Sequence, residues 1–496
     1  MRGYTSVILL VLHAVPTHCA LARDVATFQL TGIGTARIPL DFIGFSIEVD
    51  SAPELLLAGG LGGPPRASIG ALLNTLRTAA GAAEGPNIRV GGNSADASVW
   101  VPTGPIPPNS TYRITQADLE AYASAIPAWN GSVTVDTTLR YPRQPELDAA
   151  HVSASLKALG SRLASFEIGN EPDLFFENGI RAPTYTYAQY KEDYTAVSSV
   201  LMPLLNGTHV RVQGATWCSN KWSLADYQDY VTAFGHTFSS ISVHRYAETA
   251  CRGATPTIEG LLADKSAEGL ARGVSPYVTA APKNVPVFIG EGNSISCGGY
   301  AGVSDVWASA LWVVDALFNM AAVGIKRWAF HGMPNGPYAV ISYPNRRVDT
   351  PNVRPIFYGL LAFATAAGHS STLYEVKNVS STNPYIKCWS VKDDSGATRV
   401  VVIHKDPAPG LLNATITIVP AAKLLGTGTL IRGLPGPNGI RSAWNESITF
   451  GGLTWSTSTD GQPSGESKRE TVEPKEGIFL FEMPPYSIAI LHLPTA

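Results

Sequence analysis

The sequence predicts a (β/α)8 TIM barrel followed by an all-β domain, and three observations carry that prediction. Eight short β-like runs lie between about residues 41 and 370, helix-like segments separate them, and beyond about residue 372 the helical segments stop while β runs continue. Parallel strands need crossover connections, usually helices, so eight βα alternations fit a closed barrel better than the competing doubly wound open sheet.

The N-terminus, "MRGYTSVILLVLHAVPTHCALARDV", carries Arg2, an apolar run over 7–15 and Ala20-Leu21-Ala22, which fits the small-x-small cleavage rule. Residues 1–22 therefore read as a secretory signal peptide, with a mature chain from near Arg23. The apolar run is too short to span a bilayer. The product is expected to be secreted and extracellular, without a membrane partner after cleavage. Residues 25–40 are β-like and are expected to lend a strand to the C-terminal domain.

The barrel is expected over residues 41–370. Its strands are "FIGFSIEV" (42–49), "NIRVGG" (87–92), "VTVDTTL" (133–139), "ASFEIGN" (164–170), "VRVQGATW" (210–217), "ISVHRY" (241–246), "VPVFIGE" (285–291) and "IKRWAFHG" (325–332). Between them, stretches such as "ASIGALLNTLRTAAG" and "TYAQYKEDYTAVSSVLMPLL" repeat apolar residues at three- and four-residue steps, the period of an amphipathic helix. Thr115, ahead of Asp118, suits a helix N-cap. Residues 371–496 read as an antiparallel β-sandwich, with β runs broken by Gly, Pro and Asn turns. The polar stretch 457–477 inside it is expected as a mobile surface loop.

Charged residues make up 15% of the chain and the formal net charge is −3, so no basic field exists to hold nucleic acid. The protein is expected to act as a monomer. Once Cys19 leaves with the signal, Cys218, Cys251, Cys297 and Cys388 allow three pairings in an oxidising compartment. None sits at metal-ligand spacing, and neither metal nor cofactor is expected. Cys251 lies just beyond the sixth strand and Cys297 just beyond the seventh, so their loops neighbour each other at a barrel mouth. This pair is preferred, with Cys218 as the rival partner. Six Asn-x-Ser/Thr sites, at Asn109, Asn130, Asn206, Asn378, Asn413 and Asn445, are expected on the surface and open to glycosylation.

Reactive groups of such a barrel collect at the C-terminal ends of its strands. Here those ends carry Glu48, Asn93, Asp96, Asn170, Glu171, Trp217, His244, Tyr246, Glu291 and His331. Glu171, in "SFEIGNEPD", follows the fourth strand and Glu291 ends the seventh, which sets two carboxylates across one mouth. Asp173, past the rigid Pro172, is expected to shape the loop. Paired carboxylates serve glycoside hydrolysis, one giving a proton to the leaving oxygen while the other attacks or activates water. Separations of about 5–5.5 Å retain configuration, and about 6.5–9.5 Å invert it.

Asn170-Glu171-Pro172 after the fourth strand, with Glu291 ending the seventh in "FIGEGNS", resembles the retaining glycoside hydrolases of clan A, the 4/7 superfamily. Closer still, "IGFSIEVD", "IRVGGNSADAS", "SFEIGNEPD", "ISVHRY", "VFIGEGNS" and "FHGMPNGPYAVISY", followed by an all-β tail, are similar to glycoside hydrolase family 79, which contains secreted β-glucuronidases and the heparanases. The likeness covers nearly all of the mature chain, its C-terminal part mainly in pattern. It implies Glu171 as acid/base, Glu291 as nucleophile, and sugar-hydroxyl contacts from Glu48, Asn93 and Asp96, although Asp96 could equally cap the following helix. It also implies that the loop after the eighth strand holds the substrate carboxylate, where "GMPNGPY" supplies Gly336 and Tyr338. An Arg fork would suit that carboxylate, with Arg245, Arg327 and Arg346 as candidates. The loop "GNSISCGGY" after Glu291 departs from the aromatic-rich version that the resemblance implies.

Elementary chemistry adds further roles. Partial burial and an anionic Glu291 would keep Glu171 protonated. Asn170 would hydrogen-bond the sugar 2-OH. Tyr246 could donate its hydroxyl to Glu291, and His244 either orders the site or is a satisfied barrel histidine. Arg89 is expected in an internal ion pair rather than on substrate.

The expected activity is a retaining exo-β-glucuronidase that releases terminal β-D-glucuronic acid or its 4-O-methyl ether from glycans such as arabinogalactan proteins. Exo action is preferred because the chain lacks the broad basic surface that suits a sulfated polymer. A heparanase-like endo-β-glucuronidase and another clan A β-glycosidase are the alternatives. An inactive carbohydrate-binding glycoprotein is the rival from another class, since fold does not imply function. The presence of Asn170, Glu171 and Glu291 weighs against it.

Overall fold

Eight parallel strands form a closed barrel in the computed structural model, which describes residues 23–140, 144–332 and 334–495. They are Ile43–Glu48, Asn87–Gly91, Ser132–Thr137, Leu163–Ile168, Arg211–Trp217, Phe238–Thr249, Val287–Ser296 and Arg327–His331. The eighth pairs with the first from Trp328↔Ile43 to His331↔Ser46, which closes the ring. The predicted signal peptide, residues 1–22, lies outside the described residues.

The sixth and seventh strands run well past their predicted ends, and they stay paired as far as Ile295↔Glu248 and Ser296↔Thr249. Just beyond that extension Cys251 and Cys297 form a disulfide with Cα atoms 5.4 Å apart, as expected, and Cys218 is free.

Helices fill the crossovers, and local chemistry sets their ends. Thr115 caps Gln116–Ala125 in a reciprocal box with Asp118, and Thr186 does the same with Gln189 for Tyr187–Leu205. Ala308–Ala322 and Pro355–Ala367 are buried on nearly every face because the C-terminal sheet covers the side that would otherwise meet solvent.

The C-terminal domain is one long sheet folded over its own core, and one of its pairs corrects the antiparallel expectation. Val25–Arg37 lies antiparallel to Thr372–Ser381 but parallel to Ala414–Val419. A strand inserted from the far end of the chain is not tied to its neighbour by a hairpin and so can run either way. Alternate residues point to opposite faces. Thus Val400 and Val402 enter the inner core with Phe28, Ile416 and Phe481, while Val401 and Ile403 join the core shared with the barrel helices.

Residues 457–477, expected as a mobile loop, are held instead. Ser464–Gly465 and Glu470–Val472 pair with neighbouring strands. Trp455 Nε1 donates to the Gly461 carbonyl at 3.1 Å.

The two parts also share a buried ion pair. Lys405, from the sheet, lies 2.6 Å from Asp315 on Ala308–Ala322, and both side chains are buried. Lys405→Met leaves that carboxylate uncompensated and is expected to destabilise the protein by about 3–5 kcal/mol. Urea unfolding checks this, and a loss below about 1 kcal/mol would show that the pair does not tie sheet to barrel.

Candidate active site

Glu171 sits just past a strand end in strongly constrained backbone, while Glu291 lies within Val287–Ser296. Glu171, three residues past Leu163–Ile168, is left-handed, with φ 50°. Its N–H donates to the Thr216 carbonyl at 3.1 Å, and Ala215 and Thr216 are themselves left-handed, with φ 74° and 59°. Each such non-glycine residue costs on the order of 1–3 kcal/mol and persists only where its surroundings enforce it. Here the enforcement is visible, since Thr216 Oγ1 donates to the Gly169 carbonyl at 2.8 Å. Gly169 is needed as glycine, because φ is +76° and a Cβ would come within 2.7 Å of Leu139. Asp173 completes the loop as expected, accepting from Cys218 N at 3.1 Å and Ser219 N at 2.6 Å.

Glu291 is clamped on both oxygens. Tyr246 donates to Oε1 at 2.8 Å and Arg89 Nη1 to Oε2 at 2.8 Å. His244 Nδ1 lies 3.0 Å from Glu171 Oε1 and 3.9 Å from Glu291 Oε2. One donor atom from each of Glu171, His244 and Glu291 falls within 4.8 Å of the others. Three such groups could face a cation, but Arg89 and Tyr246 already occupy both Glu291 oxygens, so the cluster reads as a hydrogen-bond network.

The two carboxylates are pushed in opposite directions. Burial, and then the charge of Glu291, raises Glu171 well above the usual carboxylate range, against the pull of the Cys218 thiol. Burial acts the same way on Glu291, but the positive charges of His331 and Arg89 outweigh it and hold this carboxyl below its ordinary value. His244 is driven neutral, chiefly by burial and then by Arg89. Burial also opposes charge on His331, yet Glu291 and Glu48, at 3.6 and 3.5 Å, override it and raise its pKa.

Arg89 organises the floor, as its sequence position suggested. It is buried, donates through Nε to Glu167 and through Nη2 to Asn170 Oδ1 at 2.8 Å, and lies 3.6 Å from Asp136. Asn170 in turn donates to Asn93 Oδ1 at 3.2 Å, which also accepts from Asn178 at 3.1 Å.

Two of the residues expected on substrate also brace the loops around the site. Asp96 is only 1% exposed and is engaged by backbone donors. Its carboxylate accepts from Leu139 N at 2.7 Å and Asn170 N at 2.9 Å, tying the ends of the third and fourth strands to the loop after the second. Burial lifts its pKa to about 6. Glu48 accepts from Ser94 N at 2.7 Å and Asn93 N at 3.2 Å. Although burial resists ionisation, His331 and Ser94 lower Glu48 to about 2.

The arginine candidates are engaged elsewhere. Arg245 holds the Cys218 and His244 carbonyls at 2.6 Å. Arg327 pairs with Asp41 at the opposite end of the barrel, and Arg346 pairs with Glu54.

The loop carrying Gly336 and Tyr338 does reach the site. Tyr338 packs 6.4 Å from Tyr246 and 5.9 Å from His331, ring to ring, and its carbonyl accepts from Asn293 at 2.8 Å. Gly299, at φ +86°, allows the neighbouring loop to press on it, since a Cβ there would lie 2.6 Å from Tyr338 N.

Glu167, Asp136 and Asn178 escaped the sequence reading. A charged residue in the middle of a buried strand was the available signal for the first two. Asn178, in an exposed loop, offered none.

No family model matches the chain. It is 25% identical over 412 residues to a β-glucuronidase of Neurospora crassa, covering 73% of this chain and 71% of that protein. It is 27% identical over 392 residues to a β-glucuronidase of Aspergillus niger, with the same two coverages, 73% and 71%. Among solved structures, a 4-O-α-L-rhamnosyl-β-D-glucuronidase from Fusarium oxysporum 12S matches with TM-score 0.76 and 18% identity, over 94% of this chain and 100% of that one. A GH51 arabinofuranosidase from Xanthomonas axonopodis pv. citri matches with TM-score 0.68 and 13% identity, over 95% and 100%. These structural likenesses carry the barrel-plus-sheet fold. With paired acids at the barrel mouth and two relatives of this kind, the chain is a glycosidase.

Proposed function

We propose that this glycosidase is a secreted, retaining exo-β-glucuronidase acting on terminal β-D-glucuronic acid or its 4-O-methyl ether in glycans. The carrying observation is that oxygens of Glu171 and Glu291 approach within 4.8 Å. That closeness supports direct attack by a carboxylate and a retaining mechanism.

Glu291, ionised, attacks the anomeric carbon while Glu171 gives its proton to the leaving oxygen, so the glycosidic bond breaks as a glycosyl ester forms. With Glu291 esterified, the repulsion that raised Glu171 is gone. Glu171 then takes a proton from water, whose oxygen displaces Glu291 and releases the sugar. Arg89 and Tyr246 keep the nucleophile aimed and charged. Asn170, held by Arg89, Asn93 and Asp96, binds the 2-OH in this reading.

The names of the fungal relatives support a glucuronide substrate, and the Gly336–Tyr338 loop beside Tyr246 is the proposed seat of its carboxylate. Exposure of all six sequon asparagines supports passage through a glycosylating secretory route.

Turnover of p-nitrophenyl β-D-glucuronide, against the matching glucoside and galactoside, tests the reading. Turnover of only a neutral sugar would sink the glucuronate assignment. The pH profile follows in sign from the two shifts. Activity is lost as pH falls through the depressed pKa of Glu291, and lost as pH rises through the raised pKa of Glu171. A kcat/KM profile lacking the high-pH loss would remove Glu171 as the acid.

A further inference from the structure

A cleft of about 330 Å³ opens between the loops after the fourth and fifth barrel strands, and its lining begins with Pro172 and Asp173, directly after Glu171. None of its lining comes from the seventh or eighth strand, so it lies on the Glu171 side of the acid pair. The volume is at the lower end of the roughly 300–1,000 Å³ typical of small-ligand sites.

Its walls are aromatic and its rim is polar. Phe176 is 50% exposed and lines the cleft. Trp222, partly exposed, is held rigid by Trp217 at 4.9 Å, Tyr190 at 5.0 Å and Tyr187 at 5.8 Å. The Glu177–Lys221 ion pair borders the same cleft. Pre-ordered aromatic faces beside charged hydrogen-bonding groups suit a pyranose, which presents C–H bonds on its faces and hydroxyls at its edge.

We propose that this cleft binds the leaving part of the substrate, a neutral sugar unit of the glycan from which glucuronate is removed. The inference rests on the glucuronidase reading, because Glu171 protonates the leaving oxygen and the leaving group must therefore lie on its side. The favoured natural substrate is then a glucuronate-capped oligosaccharide rather than a small conjugate.

The test compares kcat/KM for a glucuronate-capped β-galacto-oligosaccharide with that for β-D-glucuronosyl fluoride, whose leaving atom cannot reach the cleft. In Phe176→Ala and Trp222→Ala the oligosaccharide-to-fluoride ratio should fall about tenfold, as expected for loss of an aromatic platform. Phe176→Tyr should restore it. Fluoride turnover reports that each variant is folded, so a ratio unchanged in both alanine variants overturns the proposal. Parent enzyme that turns over only the fluoride overturns it too. No turnover of either probe would sink the glucuronidase reading, and the cleft assignment with it.

Discussion

Glu291→Ala is expected to lower turnover of p-nitrophenyl β-D-glucuronide by at least about 10⁴-fold. The carboxylate removed is the one held below its ordinary pKa and clamped by Tyr246 and Arg89. Among the described residues at the mouth, no other carboxylate is held by both Tyr246 and Arg89. Azide fits the space vacated, attacks from the same face in a single displacement, and should yield the α-glucuronosyl azide, identified by NMR. Arg89 keeps Glu167 and Asp136 as partners, so the floor should survive the substitution. Ordinary activity in this variant would place the nucleophile elsewhere.

Glu171→Ala should show an effect that depends on the leaving group. Glycan and alkyl glucuronides, whose leaving oxygens need a proton, should fall by about 10²–10⁴-fold. A dinitrophenyl glucuronide should still react in the first step, then stall as the ester because no base remains to activate water. Stopped-flow measurement would show a burst of one chromophore per enzyme followed by slow turnover. Added azide should speed the second step and give the β-azide, opposite in configuration to the Glu291→Ala product. An equal loss for good and poor leaving groups would assign Glu171 a structural rather than a proton-transfer role.

The barrel was legible because each strand is a short apolar run followed by a helix-period segment, and crossover geometry leaves few ways to assemble eight of them. Glu171 and Glu291 were legible for the same reason, since strand ordinal places them on the same rim. Cys251 and Cys297 followed from neighbouring loops. The bracing role of Asp96 was not legible, because spacing cannot show that its carboxylate accepts from the amides of Leu139 and Asn170. Nor could it show that Arg245 Nη1 donates to the Cys218 and His244 carbonyls. The left-handed backbone at Glu171, Ala215 and Thr216 was equally hidden, since none of the three is a residue that announces positive φ.

By itself the sequence determined the eight-strand order, the rim positions of the two acids and the all-β character of the C-terminal region. These depend on local pattern and on chain connectivity. Tertiary structure alone decided the opposite pKa shifts of the two acids, the parallel seating of Val25–Arg37 and the aromatic cleft beside Glu171. Burial, opposing charge and close approach arise between residues far apart in the chain. Glu171 and Glu291 are the same residue type at like positions, and only their surroundings raise one pKa and lower the other.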